Sequence, residues 1–287
     1  MQDKNNETQE LPDIQNTRVS SINIDRVGVT RIKFPITLRV KGALQTTFST
    51  INIYGSLPNT KRGTNMSRYL EVLSKQYQQP LNIKKRFRNF LSQLLYTIDT
   101  KDVYCEIEFD LFLEKLAPVT KRAGFVSYKC VIAGRLQKGK YTFFNYINKV
   151  RVPITSVCPC SKHISKYGAH NQRGYIDITL LYDKDGSLPL ESIIRLIEKK
   201  GSCEIYPVLK RKDEKYVTEK GYRNAKFVED ICRDTAIALQ EIKEIRKFKV
   251  KVENFESIHD HNAVAYIYRK RKGSSWVTDD PSFNITV

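Results

Sequence analysis

The segment Ser156-Val157-Cys158-Pro159-Cys160-Ser161-Lys162-His163, followed closely by Tyr167-Gly168-Ala169-His170-Asn171-Gln172-Arg173, gathers two of the chain's six cysteines and two of its four histidines in one polar stretch. Apolar packing does not easily explain them there. Thiolate sulfur and imidazole nitrogen are ligands that a borderline-soft divalent metal prefers, and three protein ligands with one open position make such a metal hydrolytic. Three further places carry polar residues that neither a core nor a plain surface explains well: Ser202-Cys203-Glu204-Ile205-Tyr206-Pro207, the charge-dense loop Asp213 to Lys220, and Asn254 to Ala263 with Glu256, His259 and His261. Each is weak taken alone. Cys-x-Cys lacks zinc-finger spacing, a solitary loop histidine is more often a surface residue than a ligand, and Glu204 could equally be a carboxylate satisfied by a lysine. Glu219 could be a solvent-facing charge near a helix start, which the helix dipole favours.

The elements that must position these residues belong to a globular chain of 287 residues, 40% hydrophobic and 28% charged. No apolar run approaches the roughly 20 residues that span a bilayer. The polar start Met1-Gln2-Asp3-Lys4-Asn5-Asn6-Glu7 holds no apolar segment that could act as a secretory signal, so a cytoplasmic location is expected. Cys105, Cys130 and Cys232 lie among apolar residues and read as small buried hydrophobes. A net charge of +18 points to an anionic partner, yet the basic residues fall in short clusters such as Lys84-Lys85-Arg86 and Lys210-Arg211-Lys212, and most read as solvated surface charge.

Residues 1–18, rich in Asn, Gln, Asp and Glu, are expected to be disordered. Strands are expected over 19–40, 46–54, 103–112, 124–136, 141–154, 174–182, 247–255 and 263–271. Apolar residues at helical spacing predict helices from Met66 to Pro80, over Asn82 to Ile98, over Leu190 to Lys199 and over Ala225 to Ile245. Two successive strand-pair, helix-pair, strand-pair units predict an α+β protein with helices on one face of antiparallel sheets. The units are expected at 19–154 and 155–272, with a tail over 273–287.

Several strings in order, among them Arg62-Gly63-Thr64-Asn65-Met66-Ser67-Arg68, Thr155 to Lys162, Tyr167 to Arg173, Leu209 to Glu219, Lys226 to Asp230 and Glu256 to Ala263, resemble the type IB GTP cyclohydrolase I family. The resemblance runs from about residue 11 to 270. It implies a tunnelling fold (T-fold), in which tandem antiparallel sheet and helix-pair units of several subunits assemble into a barrel. The implied assembly is a homo-oligomer, a tetramer, with active sites at subunit interfaces and no membrane or nucleic-acid partner. The implied reaction converts GTP and water to 7,8-dihydroneopterin 3'-triphosphate and formate, which enters folate synthesis and in many bacteria also queuosine synthesis.

The resemblance further implies that Cys158, His170, Glu204 and His259 surround a divalent metal, with His170 either a permanent ligand or the acid/base beside it. Zinc suits the mixed donor set, and manganese or iron(II) are compatible with it. Cys160 would be a thiol close to Cys158, and Glu256 a carboxylate near the metal. Glu219 would accept hydrogen bonds from the guanine N1-H and 2-amino groups, and His170 or Glu256 would shuttle protons. Arg173, Lys210 and Arg211 are candidates for the triphosphate, with Arg62 and Arg68 weaker ones. The family often has His where this chain has Asn65, so that position carries no expected role. Two rival readings are a nitrile reductase of 7-deazaguanine metabolism, which needs NADPH and no metal, and a basic nucleic-acid-binding protein with a structural zinc.

Overall fold

The computed structural model describes residues 14, 15, 17, 21–140, 142–183 and 186–279. In the first half, β1 (Ile24–Val40) and β2 (Ala43–Leu57) form a hairpin, followed by α1 (Met66–Ser74), α2 (Lys84–Thr97), β3 (Asp102–Leu116), β4 (Ala123–Gln137) and β5 (Phe143–Val157). The second half runs α3 (Pro159–Ile164), β6 (Asn171–Tyr182), α4 (Leu190–Glu198), β7 (Cys203–Glu204), α5 (Arg211–Arg223), α6 (Val228–Gln240), β8 (Ile245–Asn254), β9 (Ala263–Lys272) and β10 (Ser275–Thr278).

All strands join one sheet in the order β1-β2-β3-β4-β5-β6-β8-β9-β10, with β7 added to β5, and every strand pairing is antiparallel. Period-2 alternation drives this arrangement: β3 buries Val103, Cys105, Ile107, Phe109, Leu111 and Leu113, while the residues between them face the other way. Helices cover the buried face. α2 contributes Phe87, Phe90, Leu91, Leu94 and Leu95, and α4 contributes Leu190, Ile193, Ile194 and Ile197 at the i, i+3, i+4, i+7 spacing of one stripe. Gly134 lets α2 come close, since a Cβ there would lie 2.7 Å from Phe87 Cε1 and from the Asn145 carbonyl oxygen. Each fully buried Leu or Phe contributes roughly 1.5–3 kcal/mol, so this face supplies most of the driving force.

The opposite face carries ion pairs between neighbouring strands. Arg135 pairs with Asp102, Lys149 with Glu106 at 3.0 Å, and Arg151 grips Asp177 through two bonds of 2.8 and 3.0 Å. Such half-exposed pairs add little stability but keep the uncovered face polar.

The expected α+β tunnelling fold in tandem sheet and helix-pair units is corrected by this architecture, which is one mostly antiparallel ten-stranded sheet with few helices. β5 pairs with β4 along one edge and with β6 over eleven residue pairs along the other. The apolar faces of both halves therefore merge into a single core running from Ile36 to Val252. The expected boundary at 154/155 falls inside β5.

Local expectations are corrected as well. Residues 213–220, expected as a loop, form most of α5, whose apolar Tyr216, Val217 and Tyr222 are too few to write a helical stripe. Asp213 and Glu214 in its first turn and Lys220 and Arg223 in its last complement the helix dipole instead. The last helix begins at Val228 rather than Ala225, because the Lys226 amide donates to the Val157 carbonyl across the molecule. Four residues of the expected C-terminal tail pair with β9 as β10, while 280–287 and most of the N-terminal segment 1–18 lie outside the described residues. Among the described residues no helix is long and apolar enough to cross a membrane.

Candidate active site

The cysteine segment sits where β5 ends. Pro159 takes the first position of α3, where its missing N–H is not needed, and Cys158 is the cap: its Sγ accepts from the Ser161 amide at 3.5 Å. The last β5–β6 pair, Val157 with Asn171, brings the chain back alongside, so the Cys158 amide donates to the His170 carbonyl at 3.2 Å. Ser161 Oγ binds both sides, donating to the Cys158 carbonyl and accepting from the His170 amide, each at 3.2 Å. Cys158 is partly buried and Cys160 exposed.

His170 and Glu256 are drawn together by β6 and the turn after β8. The His170 ring Nδ1 lies 2.9 Å from Gln172 Oε1 and 3.9 Å from Glu256 Oε2, and Gln172 Nε2 donates to Glu256 Oε1 at 3.4 Å. Gln172, which the sequence reading gave no role, is thus the link between an imidazole and a carboxylate.

Glu204 stands on β7, which extends β5 beyond the point where β4 stops pairing with it: Ile154 faces Glu204, and Thr155 faces Cys203. Gly201 permits this approach, since a Cβ there would lie 2.7 Å from Ile154 Cβ and 3.1 Å from the Thr155 carbonyl oxygen. Lys220 on α5 donates to Glu204 Oε2 at 2.5 Å, so the lysine-satisfied carboxylate is the state in this chain. Burial alone pushes the Glu204 carboxyl up, but the Lys220 bond and charge outweigh it and hold the group below the usual glutamate range. The neighbouring Cys203 thiol is pushed up to about 11 by burial and the Glu204 charge, which makes it a poor nucleophile at neutral pH. Burial likewise raises the thiols of Cys105, Cys130 and Cys232.

A cavity of about 750 Å³ opens between β5, β6, β7 and α5, and Glu204, Glu219 and Arg173 all line it. Its depth depends on where α5 lies, and Asp213 sets that position. This fully buried carboxylate accepts from the Val119 and Thr120 amides at 2.8 and 2.9 Å, from Thr120 Oγ1 at 2.5 Å and from the Lys210 amide at 3.0 Å. Burial opposes its charge, yet these four bonds hold the Asp213 carboxyl well below the usual range. The β3–β4 connection is thereby tied to the helix that carries Glu219.

Other expected residues are not gathered here. Lys210 and Arg211 begin α5 with exposed side chains outside the cavity wall. Asn65 and Arg68 line a separate small cavity of about 40 Å³ at the start of α1. His259 is exposed in the β8–β9 connection, its ring stacked on that of His261 at 4.9 Å. Among the described residues no three His, Cys, Asp or Glu side chains come close enough together to hold a metal ion. With Glu204 engaged by Lys220 and His259 against His261, the four expected ligands do not fit a divalent metal within one chain as they stand.

Residues 11–265 match the family described as type I GTP cyclohydrolase folE2. The chain belongs to that family. It is 45% identical over 259 residues to GTP cyclohydrolase FolE2 of Desulfosudis oleivorans, covering 90% of this chain and 97% of that one. To the protein of the same name from Methylobacillus flagellatus it is 41% identical over 264 residues, covering 91% and 97%. In architecture it is similar to uricase from Arthrobacter globiformis, with a TM-score of 0.53 at 8% identity over 93% of this chain and 99% of that one. A highly active mutant of Bacillus sp. TB-90 urate oxidase gives 0.51 at 7% identity over 86% and 99%. At such identity the likeness concerns fold alone, and it stands in place of the tunnelling-fold expectation.

Proposed function

We propose that this protein is a GTP cyclohydrolase that converts GTP and water to 7,8-dihydroneopterin 3'-triphosphate and formate, an entry reaction of folate biosynthesis. The observation that carries this reading is family membership across residues 11–265, with relatives of that name above 40% identity along nine-tenths of the chain. The cavity supports it. At about 750 Å³ it has room for a purine nucleotide, and it is lined by a carboxylate and a guanidinium suited to opposite ends of GTP.

Glu219 would accept from the guanine N1-H and 2-amino groups, a paired-donor edge that adenine lacks. Arg173 would take the phosphate end through its planar fork of donors, with Lys210 and Arg211, exposed at the start of α5 outside the cavity lining, as further cations that an extended triphosphate would have to reach. The reaction opens the imidazole ring at C8, releases formate and closes a new ring, so protons must be delivered and removed more than once. His170 and Glu256, bridged by Gln172 and set next to rather than among the residues that line the cavity, would be a pair suited to that task. The Cys158 amide is bonded to the His170 carbonyl, and Cys160, two residues further on in α3, is exposed.

A divalent metal belongs to the reading as a class, with zinc, manganese and iron(II) all compatible with sulfur, nitrogen and oxygen donors. Cys158 and His170 are joined through their backbones; Glu204 would have to leave Lys220, or a second copy of the chain would have to contribute, to complete a ligand set that includes His259. A homotetramer with sites between subunits and a cytoplasmic location go with the same reading.

The test incubates the full-length protein with GTP and Mn²⁺ or Zn²⁺, oxidises the product and measures pterin fluorescence and formate. Stoichiometric release of both is expected. Wild-type protein loaded with metal that releases neither would end the assignment.

A further inference from the structure

We propose that Tyr206 is the stacking platform for the purine ring in the large cavity, braced from behind by Lys115 as a positioning residue. This deepens the GTP reading above and rests on it. Three tyrosines line the cavity, and two of them, Tyr167 and Tyr222, are exposed at 89% and 40%. Tyr206 is instead partly buried, on the short connection between β7 and α5 that brings Glu204 to the same wall.

What singles it out lies on its far side. Tyr206 also lines a second cavity of about 420 Å³, together with Lys115, Tyr128 and Glu198. It is therefore a partition between the two spaces. Lys115 Nζ sits 4.5 Å from the centre of its ring, a distance at which the ring quadrupole attracts a cation. That lysine is held in turn: its Nζ lies 2.8 Å from Glu198 Oε2, which also accepts from the Tyr128 hydroxyl at 3.1 Å. The Lys115 and Glu198 side chains are only 13% and 12% exposed, so this is a built support rather than a mobile surface contact.

Four elements, β3, β4, α4 and the β7–α5 connection, thus converge to hold one aromatic ring. A flat π-surface held in this way offers a nucleobase a face at little entropic cost, and any base can use it. Selection for guanine would then come from the edge, through Glu219, while Tyr206 supplies grip on the ring plane.

The experiment measures binding of labelled guanosine and of inorganic tripolyphosphate to the full-length protein by equilibrium dialysis, for wild type, Tyr206→Leu, Tyr206→Phe and Lys115→Met/Glu198→Gln. Loss of a stacked base weakens binding roughly 5- to 100-fold. Tyr206→Leu is expected to weaken guanosine by about tenfold or more and to leave tripolyphosphate within about twofold. Tyr206→Phe, which keeps the ring, should bind guanosine within about threefold of wild type, and the double variant should fall between the two. Guanosine binding that is unchanged in Tyr206→Leu, or that is lost equally in Tyr206→Phe, would overturn the proposal. Equal loss of guanosine and tripolyphosphate in Tyr206→Leu, with the same equal loss in the ring-conserving variant, would overturn it too. Wild type that binds guanosine through Tyr206 but forms no pterin from GTP would strike the cyclohydrolase reading and leave the platform standing.

Discussion

Replacing Lys220 by methionine removes the cation that holds the Glu204 carboxylate. The pair is close, at 2.5 Å, and unevenly buried, with Glu204 11% and Lys220 32% exposed. Removing one partner of a fully buried pair costs about 3–5 kcal/mol, whereas exposed pairs contribute about 0.2–1 kcal/mol. Water reaching the lysine end screens part of the interaction, which places Lys220→Met at about 1.5–3 kcal/mol of lost stability. Urea unfolding at fixed protein concentration should show a lower midpoint with an unchanged slope. A cycle with Glu204→Gln should give a coupling of about 1–2 kcal/mol.

The pH dependence follows from the two shifts. Glu204 is held below its ordinary value, so its share of the stability is present above about pH 4.3 and lost as pH falls through the lower folded value. Lys220 is opposed by burial but raised overall by Glu204, so its share is present below about pH 10.4 and lost as pH climbs through the higher folded value. The gap between wild type and Lys220→Met should therefore be widest near neutrality and narrow below about pH 4. A gap under about 0.5 kcal/mol at pH 7, or one unchanged at pH 3, would refute the reasoning.

Glu219→Ala should lose roughly 10²- to 10⁴-fold in kcat/KM for GTP, the worth of two charge-assisted bonds, with the fold intact because its ion-pair partners among the described residues are helix-surface neighbours at 3.7 and 3.9 Å. Unchanged kcat/KM would remove it from the guanine edge. Where a second copy of the chain completes the proposed ligand set, Cys158→Ala and His259→Ala should each lose bound metal by elemental analysis while keeping the wild-type circular dichroism spectrum; metal and turnover retained in both would exclude those side chains. Gly201→Ala should destabilise by about 1–3 kcal/mol, since the new Cβ meets Ile154 and the Thr155 carbonyl, and thermal unfolding that matches wild type would contradict that contact.

Motifs that act through local chain were legible in the sequence. The pairing of Cys158 with His170 depends on a short return of the chain around Ser161, and the strands and the helices over Lys84–Thr97 and Leu190–Glu198 follow from apolar periods written in their own residues. Helix α5 is hidden in the sequence because its signals are capping and charge rather than an apolar stripe, and the union of the halves is hidden because edge pairing leaves no mark in composition. Glu204 stands out in the sequence as a charge interrupting an apolar run, but both a ligand and a salt-bridged carboxylate fit that pattern.

Residue types and their order alone determined the family, the alternating strands and the amphipathic helices, and marked several side chains as candidates for chemistry. Only the tertiary structure decided that the strands form one sheet, that Glu204 meets Lys220, that Asp213 fixes α5, and that Tyr206 divides two cavities. The reason is physical: period and propensity act between neighbours in the chain, while ion pairs, buried carboxylates and cavity walls depend on groups tens of residues apart. Their partners are chosen by the packing of the whole sheet.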